Sequence, residues 1–597
     1  MEVFTDIDIK NLLLGVKFQC PASNGTSSES CVAVTSETAQ RLVALYSVMV
    51  ALIFVFCWKL VSVIVMMFSG SLDLPMRRRL DPQKALDASD YDAILWGIAF
   101  VGFWNSREPL EATLFISGFL FRLLRRSLDK KFRARWLAVG LLLLAVVWLS
   151  GSYIASVFVA GKLIAGNIAP ADPNRVFVPT PGLKAESDKM RLQALRAPAT
   201  LRSLGSAEAA SEHHTIRDHF SLEAHLESGD SPQYFSYSYT VGAGDMGLQK
   251  WHDLRQEVSG RCDVDSSWLW KSIPEQDVDV YRPWGLENKT VKVVIDGERK
   301  TAPSATAIPF PYAKKDFLID QAAENRYGII VRSSHRASHR PGTDPWYKTE
   351  SFVALENETD ARIPDSAGNR VMGGRPALSC TQKDVWWYNG TQFKNVYELT
   401  NRSNINFPDG WATQLQLDFF DPRIIDMVNS AGSSSLASSS TFVGERFDAQ
   451  SSKIKTDMTR LFTATWISTA HTFRNMLMVG DNTQDIPNAA HKGTEQPQDG
   501  VGLFVASTPQ VGTLRYSVLL SIPILLGVLA FMLSLLECVF KYLPWYRNMH
   551  FSEGAYLYAV TQNPDLCGQQ EIGPPSDNKI RLGHVIERCL EEASKLS

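Results

Sequence analysis

The sequence predicts a membrane protein: α-helical transmembrane spans carrying a large ectodomain of mainly-β or α+β architecture. Three observations predict it. Residues 516–536 contain no charged side chain and are long enough, at a helical rise of about 1.5 Å per residue, to cross a bilayer once. Matching apolar runs occupy residues 42–68 and 136–160. The polar stretch 161–515 between the second and third runs is a succession of short aromatic and β-branched segments separated by turn residues.

Bulk properties narrow the function classes. The near-neutral mean hydropathy of the 597 residues hides a segregation of apolar runs from a polar middle. A net charge of -3 argues against a nucleic-acid partner, which calls for a basic excess. Eight cysteines are too few for a disulfide-dense scaffold. Their placement is more telling. Cys20, Cys31, Cys262 and Cys380 fall in segments assigned outside; Cys57 and Cys538 accompany apolar runs, and Cys567 and Cys589 the C-terminal tail.

Residues 1–41 read as an extracytoplasmic tail without a signal-peptide pattern. The acceptor Asn24-Gly25-Thr26 lies between Cys20 and Cys31, a pair expected to form a disulfide in an oxidising lumen. Residues 42–68 form the first span, interrupted only by Lys59, Ser47 and Ser62. The expected role of Lys59 is snorkelling towards the headgroups; the alternative is a charge paired within a helix bundle.

Residues 69–135 form a basic loop. Arg77, Arg78 and Arg79 follow the first span, and Lys130, Lys131, Arg133 and Arg135 precede the second. Lys and Arg mark cytoplasmic loops, so this loop faces the cytoplasm, and the N-terminus and the polar middle face away from it. Two shorter apolar runs inside the loop, 93–104 and 113–121, read as interfacial or re-entrant helices. A tight transmembrane hairpin is the alternative, giving five spans instead of three with the same orientation.

Residues 136–160 lead outward into the extracytoplasmic domain, 161–515, through a proline-rich exit linker. Residues 184–228 read as helical or irregular. Strands are expected at 234–241, 290–295, 328–332, 351–355, 385–388 and 413–420, with turns at Asp296-Gly297, Asn389-Gly390 and Asp409-Gly410. Residues 430–441 are serine-rich and read as a mobile loop. Residues 453–479 have helical periodicity, with Leu461, Phe462, Thr465, Ile467, Ala470 and Phe473 on a buried face.

Further glycosylation acceptors are Asn288, Asn357, Asn389 and Asn401. Cys262 and Cys380, the two cysteines of the domain, are expected to pair; closing so long a loop stabilises by about 4–5 kcal/mol on the chain-entropy picture. The third span, 516–540, contains Pro523 and is followed by a cytoplasmic tail, 541–597.

No cofactor or metal site is expected. His213, His214, His219 and His225 lack helical ligand spacing, and His335 and His339 lie in a cationic stretch. No GxSxG, HExxH, P-loop or GxGxxG motif occurs. The stretch 237–254, with Asp245-Met246-Gly247-Leu248-Gln249 at its centre, resembles a segment of uncharacterised membrane proteins of filamentous fungi, as does Arg581-Leu582-Gly583. The resemblance implies the same plan of spans, glycosylated outer domain and short inner tail, and brings no activity with it.

The expected function is therefore a non-enzymatic, ligand- or partner-binding ectodomain on a multi-pass anchor in the plasma membrane or an endomembrane. Its partners are the lipid bilayer and a membrane or cell-surface protein, with no nucleic acid. Two alternatives stay open: a channel, transporter or accessory subunit of one, and a membrane-anchored hydrolase working through carboxylates such as Asp245, Glu356 or Asp418.

Overall fold

The computed structural model describes residues 7–20, 29–68, 108–125, 133–177, 186–210, 220–226, 232–273, 278–287, 289–294, 301–310, 324–353, 367–401, 405–478 and 499–542, with Ala99, Phe103 and Ser106. The chain divides into two units. One comprises residues up to Ser36 together with Gly166–Thr513; the other comprises Glu37–Ala165 and the chain from Leu514 onward.

The second unit is helical: α1 (Ser36–Phe68), α2 (Pro109–Arg125), α3 (Arg133–Leu163) and the C-terminal helix Tyr516–Tyr542. Ser36–Ser62, Trp136–Leu163 and Tyr516–Leu536 are long and apolar enough to cross a membrane. The shortest has 21 residues, about 30 Å of helix. Trp58, Phe103, Ile116, Phe119 and Leu141 pack together, with the Trp58 and Trp148 rings 6.4 Å apart. Trp148 donates from Nε1 to the Phe54 carbonyl at 3.1 Å, and Tyr46 donates to the Leu519 carbonyl at 2.6 Å. Lys59 is exposed. The apolar run 113–121 falls within α2, whereas 69–107, apart from Ala99, Phe103 and Ser106, lies outside the described residues.

The first unit is an α+β body. Its N-terminal strands, Lys17–Cys20 and Glu29–Thr35, pair antiparallel and are joined by the Cys20–Cys31 disulfide. The sequence reads this stretch as a tail; the structure builds it into the body. Leu13 donates its backbone N–H to the Pro170 carbonyl at 2.9 Å, Asp172 to Asn11 at 2.9 Å and Ser36 to Gln510 at 2.8 Å. The Asn11 side chain donates to the Leu477 carbonyl at 3.0 Å.

The centre of the body is an antiparallel sheet of β1 (Phe220–Leu226), β2 (Pro232–Gly242), β3 (Arg255–Asp265), β4 (Ser304–Pro309), β5 (Asn325–Arg332), β6 (Ala377–Tyr388) and β7 (Thr391–Phe393). Its order is β4-β5-β6-β3-β2-β1, with β7 pairing β6. Alternation decides the faces. Phe235, Tyr237, Tyr239 and Val241 of β2 are buried, whereas Ser238 and Thr240 are exposed. The inner face packs on α7 (Ile454–Ala470), where Phe462 stacks on Tyr237 at 3.8 Å. Two earlier helices, α4 (Glu186–Ala210) and α6 (Arg423–Ala431), pack with α7.

Three expectations are corrected. Residues 413–420 are not a strand: 413–419 lie within α5 (Asp409–Phe419), and Phe420 is its C-cap. Leu415, Leu417 and Phe419 alternate, but Trp411, Leu415, Asp418 and Phe419 are the buried set, a helical face. Residues 220–226, read as helical or irregular, form an edge strand. The serine-rich stretch is ordered in α6 and in 3-10 turns at Gly432–Ser434 and Ala437–Thr441. The Asp457 carboxylate accepts from the Ser438 backbone N–H at 2.8 Å and from its hydroxyl at 2.8 Å, and it also accepts from the Tyr347 hydroxyl. A buried acceptor thus replaces the water that a mobile serine loop would need. Strands are present at 234–241, 328–332 and 385–388, and within the described parts of 290–295 and 351–355, of which 295, 354 and 355 lie outside the described residues. The stretch expected to be helical from 453 divides into α7 and the short helix Thr472–Asn475, which carries Phe473; Leu461, Phe462, Thr465, Ile467, Ala470 and Phe473 are all buried.

Candidate functional site

The open face of the central sheet carries the candidate site, a groove of ≈ 530 Å³. Its floor is set by register. Ser221 faces Ser238, Ser238 faces Ser259 and Ser259 faces Lys383, so three hydroxyls and an ammonium form one line across four strands. The next line holds Thr240, Glu257 and Val385, and the one beyond it Arg255, Trp387 and Gln392. Trp387 is held by its neighbours: Nε1 donates to Glu257 Oε2 at 2.9 Å, and the Arg255 guanidinium lies 5.0 Å from its ring. Arg255 in turn pairs with Glu257 at 3.3 Å.

The same face continues towards the other end of β3. There Arg261 lies over the Tyr234 ring at 3.8 Å and pairs with Asp263 at 2.7 Å. The face therefore alternates hydroxyl-bearing positions with two aromatic rings, each flanked by an arginine whose charge is answered locally. Lys383 is exposed and, among the described residues, has no carboxylate partner.

Beneath the groove the inner face is rigid. Tyr237 bonds to the Tyr327 hydroxyl at 2.8 Å and donates to Gln382 Oε1 at 2.8 Å; Gln382 Nε2 donates to Asp384 at 2.9 Å. Burial pushes the Asp384 carboxyl up to about 6, against the opposing hydrogen bonds from Gln382 and Asn325. The Cys262–Cys380 disulfide joins directly opposed residues of β3 and β6, closing a separation of 118 residues. A face backed in this way keeps its shape.

The sequence-named residues scatter around this site. Asn389 is exposed at the hairpin turn between β6 and β7, and Asn401 is exposed at the end of the short helix Val396–Asn401. Asn24, Asn288, Asn357, Glu356, His213, His214 and His219 lie outside the described residues. Asp245 caps a turn, accepting from the Gly242 N–H at 2.8 Å. Asp418 is enclosed by Arg196 at 3.0 Å and Arg423 at 2.6 Å; burial would raise its carboxyl, but the two guanidinium groups hold it below the usual range. His225 faces Tyr234 in register, His335 sits in a left-handed turn, and His339 Nε2 contacts the Val443 carbonyl at 3.0 Å. Among the described residues no group of three or more His, Cys, Asp or Glu is placed to hold a metal.

The groove was not named from sequence. Its signal was the polar parity of Ser236, Ser238 and Thr240; the strands facing them are fixed by long-range register, which a single run does not carry.

Residues 197–506 match a family described as a domain of unknown function, DUF8406, which covers more than half of the chain. The chain belongs to the DUF8406 family. No curated protein and no solved structure matches it. The DUF8406 match falls within the α+β body and includes the central sheet, the groove and the Cys262–Cys380 pair. It also includes 245–249, where Gly247 adopts φ +73° and a Cβ would stand 2.4 Å from the Val505 carbonyl oxygen. Only glycine fits there. The Gly247 carbonyl accepts from the Val505 N–H at 2.8 Å, tying this turn to the end of the matched region.

Proposed function

We propose that the chain is an integral membrane protein whose DUF8406 body is a non-enzymatic binding module on the extracytoplasmic side, with the open sheet face as its contact surface. One observation carries the reading: the residues before α1 and those from Gly166 to Thr513 belong to one hydrogen-bonded body, and the three helices among the described residues that are long enough to cross a bilayer are joined to it along the chain. Both parts of the body then occupy one side, and the chain between Ser36 and Gly166 crosses an even number of times. Two crossings by α1 and α3 satisfy this, so α2 crosses only if a second short segment crosses with it.

The side follows from the basic loop between α1 and α3, which favours the cytoplasm. It agrees with two disulfides, which persist in oxidising compartments, and with the exposed acceptors Asn389 and Asn401. The non-enzymatic reading is supported by the structural engagement of Asp245 and Asp418. The resemblance of 237–254 to a segment of filamentous-fungal membrane proteins supports the plan of spans and outer domain, and bears on no activity.

Glycosidase treatment combined with protease digestion of sealed microsomes tests the topology. The body is expected to shift in mobility on glycosidase treatment and to stay protected, while the chain after residue 542 is digested. An unglycosylated, carbonate-extractable body overturns the reading.

A further inference from the structure

We propose that the open face of the central sheet binds an extended, weakly charged oligosaccharide belonging to a separate molecule. The inference rests on the reading of the body as an extracytoplasmic binding module and names the ligand class for that face.

Shape is the first argument. The line from Ser221 to Lys383 crosses four strands, about 14 Å, and the face runs about 27 Å along β3 from Arg255 to Asp263. The groove occupies part of this face, from the line of Ser221, Ser238, Ser259 and Lys383 to Trp387 and Gln392, and the face continues beyond it past exposed Arg261, which suits a chain of rings better than an enclosed small molecule.

Chemistry is the second. Ser221, Ser238, Thr240 and Ser259 each present a hydroxyl that can donate and accept, matching the same dual capacity in sugar hydroxyls. Trp387 and Tyr234 supply aromatic surface at either end, and Trp387 is fixed by its bond to Glu257. Charge excludes the obvious competitors. Arg255 and Arg261 are answered by Glu257 and Asp263, which leaves Lys383 as the unanswered cation of the groove lining, short of the row of cations that a nucleic acid demands. The line from Ser221 to Lys383 is polar throughout, in contrast to the cluster of large apolar anchors at the centre of a stable protein interface. Because the site lies on a sheet face and not along an edge, a peptide cannot add to it as a strand.

The test uses the full chain in detergent micelles, titrated with soluble oligosaccharides of glucose, mannose, galactose and N-acetylglucosamine. Saturable binding to one series is expected. Ser259→Tyr, a β-favouring change at an exposed position, should weaken it by at least about tenfold by filling the groove. Lys383→Ala checks the same face without added bulk and should weaken it to a smaller degree. Asn389→Gln, which removes the acceptor at the neighbouring hairpin, should leave binding unchanged.

No binding to any series overturns the proposal, as does binding unaffected by both groove variants. Binding that emerges only in Asn389→Gln also overturns it, by assigning the face to the chain's own glycan; capture of a protein partner that Ser259→Tyr abolishes, without sugar binding, assigns it to that partner. Carbonate extraction and glycosidase shift of the same preparation report on the membrane reading separately. A chain that stays embedded and glycosylated yet binds no sugar defeats this inference alone.

Discussion

Asp457 is fully buried, and burial pushes its carboxyl up to about 6 despite hydrogen bonds from Tyr347 and Ser438. Asp384 stands at about 6 for the same reason. In the unfolded chain both titrate near about 3.9. Between about pH 4 and 6 the folded body therefore holds protons that the unfolded chain has released, and stability falls as pH rises through that window. Asp418 works in the opposite sense: its depressed carboxyl contributes stability above the unfolded pKa, and this is lost as pH falls. Replacing Asp457 by Asn removes one of the raised groups and keeps an acceptor for Ser438. The fall in melting temperature from pH 4 to pH 6 should then be shallower, by an amount corresponding to about 2 kcal/mol. An unchanged slope would show that Asp457 does not titrate in that window.

At the scale of elements, the pairing of β2 with β3 depends on a residue without a side chain. Gly260 lies opposite Tyr237, and a Cβ there would come within 2.2 Å of the Tyr237 ring. Tyr237 cannot swing away cheaply, because its hydroxyl is bonded to Tyr327 and Gln382. Gly260→Ala should therefore destabilise the body by about 2–3 kcal/mol, read as a lower midpoint in denaturant with an unchanged slope. An unaltered midpoint would mean that the ring is free to move. Legibility from sequence divides at the same place. The alternation of residues 234–241 gave away a half-buried strand, and the two-residue Asn389-Gly390 turn gave away its hairpin, in which both residues adopt positive φ. The partner of each strand was hidden, since register is a property of two distant segments. Residues 220–226 were hidden for another reason: their alternation is short and follows a charged helix. Residues 413–420 carry two periods at once, and the burial of Trp411 and Asp418 selects the helical one.

At the scale of the whole molecule, the apolar runs were the most legible feature, because a membrane-length helix advertises itself through composition alone. What composition did not disclose was the joining of the N-terminal strands to a body that begins some 130 residues later. That joining turns a charge-based orientation into a geometric constraint, since two parts of one folded body cannot lie on opposite sides of a bilayer. The most direct measurement places one epitope tag before residue 7, a second within residues 479–498 and a third after residue 597, in sealed vesicles exposed to protease. The account predicts that the first two tags are protected together and the third is lost. A vesicle preparation in which the first two tags differ in accessibility would contradict it.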